Sequence, residues 1–126
     1  MTSGCVFCEG VGGERLWHDE RCRVVLGDEP FPGFCRVLWN DHVAEMTDLD
    51  PADRAHLMNV VFAVEAALRA RLAPDKVNLA SLGNMVAHLH WHVIPRYRED
   101  SHFPQPVWGA TQRTGHVRPL APDAPS

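Results

Sequence analysis

No stretch of this chain approaches the ~20 continuous apolar residues that cross a bilayer. Met1 through Cys5 has neither the basic flank nor the apolar run of an export signal. Positive charge is short as well. Twelve Lys and Arg stand against 16 Asp and Glu, a net charge of −4, so no electrostatic footprint for nucleic acid or an anionic membrane is expected. Cysteine is limited to four residues in 126. Without a leader, these imply a reducing compartment, where a Cys-x-x-Cys serves a metal or redox chemistry sooner than a disulfide; cytoplasm is the expected location. Internal repeats are absent. What remains, 45% hydrophobic and 22% charged residues, is the composition of an ordinary globule of one domain.

Against this plain background one run stands out: His88-Leu89-His90-Trp91-His92-Val93-Ile94-Pro95. Alternation with period two is strand geometry, so the three imidazoles share one face while Leu89, Trp91 and Val93 pack behind them. Imidazole titrates near neutrality and is costly to desolvate, so three on one face point to chemistry rather than packing. An imidazole can attack phosphorus and form a phosphoramidate, and flanking donors can hold the non-bridging oxygens. Geometry favours the middle residue, His90, as nucleophile. A three-histidine metal site is the alternative, but positions i, i+2 and i+4 reach one ion only if the strand bends.

The rest of the chain reads as three strands, a helix and two strands. Leu16–His18 and Cys22–Leu26 pair across Asp19-Glu20-Arg21, and Phe34–Trp39 follows the turn Asp28-Glu29-Pro30-Phe31-Pro32-Gly33. Asp50 as N-cap, Pro51 at N1 and Asp53 at N3 start a helix. Leu57, Val60, Val61, Val64 and Leu68 carry it to about Leu72, before Pro74. Val77–Ser81 is a fourth strand, Gly83-Asn84 a turn, and 86–95 the triad strand. The expected fold is α+β: one domain over 1–104, a five-stranded mainly antiparallel sheet with one long helix on one face. Residues 105–126, rich in Pro, Ala, Gly and Thr, form a partly flexible extension.

The histidine run, with Val93 and Ile94, resembles the signature of the histidine triad superfamily. The likeness extends to Cys5-Val-Phe-Cys8, to Gly33 through His42, to the Asn78…Gly83 approach and to the Pro95-Arg96-Tyr97 exit, all in the family's order. The resemblance implies a nucleotide hydrolase or transferase acting at the α-phosphate of nucleoside polyphosphates, dinucleoside polyphosphates or nucleoside phosphoramidates. It also implies a homodimer with a shared sheet. By the same carry-over His90 is the nucleophile, His92 binds the phosphate and His88 supports them. Asn78 matches the asparagine placed near the phosphates, although a strand-edge hydrogen bonder would look the same. Asp28 is the nearest match to the acid that holds the ribose hydroxyls. Phe34, where the family has histidine, walls a base or fills core, and core is preferred. Trp108 covers either substrate or the dimer interface.

Gly83-Asn84-Met85-Val86-Ala87-His88 departs from the family's Gly-Gln-Ser/Thr-φ-x-His. Asn84 still offers an amide donor with a shorter reach, whereas Met85 offers none. The departures motivate a rival expectation, a nucleotide-binding module with little catalytic activity. Related proteins bind zinc through two knuckle cysteines, a histidine after the third strand and the first triad histidine. Here Cys5, Cys8, His42 and His88 fill those positions, and the closed Cys2His2 set implies structural zinc. Cys22 and Cys35 read as core. Histidines 18, 56, 102 and 116 show no partner pattern.

Overall fold

The computed structural model describes residues 5–27 and 30–115. A short helix, α1 (Val6–Glu9), precedes strands β1 (Glu14–His18), β2 (Cys22–Leu26) and β3 (Cys35–Trp39). A 3-10 turn at Met46–Asp48 leads into helix α2 (Pro51–Leu72), followed by β4 (Lys76–Ala80) and β5 (His90–Arg96). The sheet order is β1-β2-β3-β5-β4, with every pair antiparallel.

Local chemistry accounts for the joints. Asp19 turns β1 into β2, its Oδ1 accepting the backbone N–H groups of Arg21 (2.8 Å) and Cys22 (2.9 Å). Asp50 caps α2 by accepting the Asp53 N–H at 2.9 Å, with Pro51 opening the helix. At the far end Ala73 is left-handed (φ 46°), and its N–H closes on the Arg69 carbonyl. Gly33 also needs a positive φ (84°), and a Cβ there would meet Leu72 Cδ1 at 2.7 Å and Pro95 Cγ at 2.9 Å.

The two faces of the sheet divide the labour. On one, Cys22, Val24, Cys35, Val37, Trp39, Leu89 and Val93 form the main core with Leu57 and Val61 of α2. The helix lies over β3 and β5 and leaves an apolar groove of about 900 Å³ over β1 and β2. On the other face, Phe7 of α1 packs with Val25 and Leu38 in a smaller cluster. Cross-strand register puts His92 opposite Arg36, and His90 opposite Leu38, on this second face.

The last strand is shorter at its start than the alternation predicts. The expected strand 86–95 begins at His90 and runs to Arg96, so His88 lies on its approach and not on its pleat. Leu89 still joins the sheet, donating to the Val43 carbonyl and accepting from the Trp39 N–H. That bond pattern ties the approach to the end of β3 and the segment after it rather than to β4, and the backbone bends at His88.

Candidate functional site: the histidine face

The three histidines are buried, His88 completely and His90 and His92 to 6% and 7% exposure. Their hydrogen bonds assign the protons. A carbonyl oxygen can only accept, so His90 Nδ1, 2.5 Å from the His88 carbonyl, carries the hydrogen. His90 Nε2 is left with its lone pair and no hydrogen bond within the described residues. His88 Nε2 donates to the Trp39 carbonyl at 2.6 Å, which leaves His88 Nδ1 unprotonated. The His92 ring meets His90 and Trp108 edge to face, both at 4.9 Å, and Phe34 at 5.5 Å. Its Nδ1 is buried without a partner.

Burial dominates the electrostatics of all three. Desolvation drives His90 below the ordinary imidazole range, partly opposed by its bond to the His88 carbonyl and aided by Arg36. His92 falls to about 4, through burial, then His90, then Arg36. Both rings are therefore neutral at pH 7, the state in which an imidazole is a nucleophile.

The unprotonated His88 Nδ1 faces the knuckle. It lies 3.4 Å from Cys5 Sγ and 3.3 Å from Cys8 Sγ, and His42 Nδ1 is 3.3 Å from Cys8 Sγ. All four ligand atoms fall within 4.8 Å of one another. With bonds of about 2.3 Å to sulfur and 2.0 Å to nitrogen, a tetrahedral ion separates neighbouring donors by about 3.5 Å. The set fits such an ion, and four protein donors leave no open position for water. The three-histidine alternative fails here, because His88 directs its free nitrogen to the cysteines and not toward His90 and His92.

A family model described as the HIT domain matches residues 12–99. The chain belongs to the HIT domain family. The chain is 26% identical over 134 residues to a curated protein of Arabidopsis thaliana named adenylylsulfatase HINT3, covering 98% of this chain and 66% of that protein's length. Among solved structures, a histidine triad protein from Bradyrhizobium japonicum superposes with a TM-score of 0.69 at 30% identity, covering 82% of this chain and 79% of that one. Another from Marinobacter aquaeolei gives 0.71 at 26%, covering 85% and 79%.

Within this HIT domain the remaining site residues fall in different places. Asn78 stands on the histidine face, opposite Ile94, but its Oδ1 accepts from Arg96 Nη1 at 2.9 Å, leaving the amide hydrogens as its outward chemistry. Asn84 is exposed beside Met85, which is 97% exposed, and no hydrogen bond joins Asn84 to the triad among the described residues. Asp28 lies outside the described residues. Phe34 is buried, as core predicts, yet its ring edge also borders His92. Trp108 covers His92 and Phe34 within the same chain.

Three features escaped the sequence. Arg96, 2% exposed, binds Asp100 with Nε and Nη2 at 2.9 and 3.1 Å and the Gln105 carbonyl at 2.8 Å, fastening the segment that carries Trp108. The i, i+4 spacing of Arg96 and Asp100 was the available signal. His56 does have a partner: Nε2 sits 2.7 Å from Asp19 Oδ2, tying α2 to the β1–β2 turn. His102 likewise bonds the Ser101 hydroxyl at 2.8 Å. His18 lies on exposed β1, and His116 falls outside the described residues. No helix among the described residues is long and apolar enough to cross a membrane.

Proposed function

We propose that this HIT domain is a nucleotide hydrolase or transferase in which His90 attacks the α-phosphate. The observation that carries the reading is the proton assignment at His90: Nδ1–H is held by a main-chain carbonyl, so Nε2 presents its lone pair in a neutral ring. As the Nε2–phosphorus bond forms, the bond from phosphorus to the leaving group breaks, and that group departs with the electron pair and takes a proton. Water then attacks the nucleotidyl-histidine, releasing the nucleoside monophosphate and restoring the Nε2 lone pair. His92 has a buried ring nitrogen without a partner, suited to a phosphate oxygen. The Asn78 amide, Asn84 and Asp28 are the further substrate contacts of this reading. Cys5, Cys8, His42 and His88 would hold a zinc ion whose contribution is to fix the backbone ahead of His90. The active form is a homodimer, and the setting is the reducing cytoplasm.

Substrates belong to the nucleoside polyphosphates, dinucleoside polyphosphates and nucleoside phosphoramidates, and the adenylylsulfatase relative adds adenylyl sulfate to the panel. A turnover assay over these compounds tests the class. His90→Asn should reduce turnover by orders of magnitude while nucleotide binding persists, since only the covalent step is lost. Equal loss of binding and turnover would make His90 structural. The second reading, a binding module with little catalysis, is favoured by one observation: Met85, in the approach loop, is almost wholly solvent-exposed and donates no hydrogen bond. Labelled dinucleotide quenched in base separates the two, because only the enzyme leaves acid-labile label on protein.

A further inference from the structure

Asp19, Cys22 and His56 form a second group of metal-ligating side chains, separate from the knuckle, with Cys22 in the helix-side core. One ligand atom from each lies within 4.8 Å of the other two. Asp19 and Cys22 stand at i and i+3 across the β1–β2 turn, the chelating spacing that Cys5 and Cys8 also have. His56 comes in from the second turn of α2. The turn fixes the carboxylate in advance. Its Oδ1 takes the Arg21 and Cys22 N–H groups, the Asp19 N–H closes on the Cys22 carbonyl at 2.9 Å, and Asn40 Nδ2 donates to the Asp19 carbonyl at 3.2 Å. Oδ2 is left over, 2.7 Å from His56 Nε2. That contact by itself ties α2 to the turn and asks for no thiol beside it, since sulfur is a weak hydrogen-bond partner. Cys22 is fully buried, whereas Asp19 and His56 are half-buried and reach solvent.

A thiolate, a carboxylate oxygen and an imidazole nitrogen together suit a borderline divalent ion such as zinc. Tetrahedral donors sit about 3.5 Å apart, so His56 and Asp19 need to separate by under about 1 Å. Charge balances as well. A dication with one thiolate, one carboxylate and one neutral ring sums to zero, which leaves no uncompensated charge against the core. We propose that Asp19 Oδ2, Cys22 Sγ and His56 Nε2 form a second, exchangeable zinc-type site whose fourth position takes water or a donor atom of a ligand. On metal uptake the Cys22 thiol proton and the proton between His56 and Asp19 pass to solvent. Three protein donors, against the four of the knuckle, make this the weaker site. It therefore fills from added metal and empties during purification. His56 also lines the apolar groove of about 900 Å³, which places the site at the groove's edge. The inference is independent of the nucleotide reading.

Cobalt(II) added to the full chain as purified is the probe, because a thiolate ligand gives it a charge-transfer band. Equilibrium dialysis should show wild type binding one equivalent more than His56→Gln, with that band. His56→Gln removes a ligand outright and should weaken this equivalent by more than about 100-fold, the most that losing a mere partner of a ligand costs. Asp19→Asn should do the same: its amide oxygen still accepts the turn N–H groups, but the NH2 in place of Oδ2 has no lone pair to give. Both variants leave the knuckle intact, so its occupancy does not alter the difference. A melting temperature close to that of wild type shows that each variant is folded. Wild type that takes up no additional equivalent, or takes it up without a thiolate band, overturns the inference whatever the variants do. A folded His56→Gln or Asp19→Asn that binds cobalt as wild type does overturns it too.

Discussion

His92 refuses a proton that the unfolded chain accepts. Burial, His90 and Arg36 hold its folded value at about 4, against about 6.5 for a free imidazole. Between those values the unfolded state binds more protons, so stability rises with pH across that window and is lost as pH falls through it. Urea unfolding followed from pH 4 to 7 should show the slope, and His92→Gln should flatten it; an unaltered slope would mean the ring titrates normally. The four thiols divide in the same physical terms. Burial raises Cys22 to about 12, helped by Asp19, and Cys35 to about 11. A thiol reagent applied to chelator-treated native protein should therefore label Cys5 and Cys8, with Cys22 and Cys35 reacting only on unfolding. At this scale the shared face of His90 and His92 in the candidate site was legible, because alternation sets two such residues of one strand on one side whatever the fold. The Arg36 position was not, since nothing in the sequence says which strand lies beside His92.

Among the elements, the extent of α2 was legible to the residue, from the Asp50 cap to the stop before Pro74. The start of β5 was not. Strand alternation continues through His88 in sequence, but the backbone leaves the pleat there to bring the ring to the knuckle. Beyond β5, the Arg96–Asp100 pair decides whether the Trp108 segment stays on the site. Burial alone would raise the Asp100 carboxyl, but bonds from Arg96 and from the N–H groups of His102, Phe103 and Tyr97 outweigh it and hold the group at about 2. Its stabilisation is complete above the unfolded value near 3.8 and is lost as pH falls toward 2. Asp100→Ala leaves a buried guanidinium uncompensated and should cost about 3 kcal/mol in chemical denaturation. A loss under about 1 kcal/mol would show that solvent replaces the carboxylate. Gly33→Ala forces a side chain into the left-handed region against Leu72 and Pro95. It should cost about 1–3 kcal/mol by the same measurement.

For the whole molecule, the α+β class and antiparallel sheet follow from element order, but the insertion of β5 between β3 and β4 does not. Pairing strands separated by a 22-residue helix is a long-range choice that local patterning leaves open. The sheet ends at β1 and β4. Leu79 on β4 is 37% exposed and Phe62 on α2 is 50% exposed, apolar surface on elements at the side of the sheet where β4 has no outer partner among the described residues. Sedimentation at micromolar concentration should give a symmetric dimer of about twice the 14.1 kDa chain, and a single species at the monomer mass would refute it. Elemental analysis should find one zinc per chain. Chelation should lower the melting temperature first and activity only as a consequence. Protein with well under one equivalent and normal stability would reduce Cys5 and Cys8 to packed thiols.

The group that sets the tautomer of His90 belongs to the main chain of His88, and a peptide oxygen is the same whichever amino acid occupies the position. A saturation scan would therefore find no codon that deletes it. Loss of function at residue 88 would trace to the knuckle, and the orienting acceptor would stay invisible to genetics. Replacing the amide that follows with an ester, which weakens that carbonyl as an acceptor while sparing every side chain, is the route by which chemistry reaches what mutation does not.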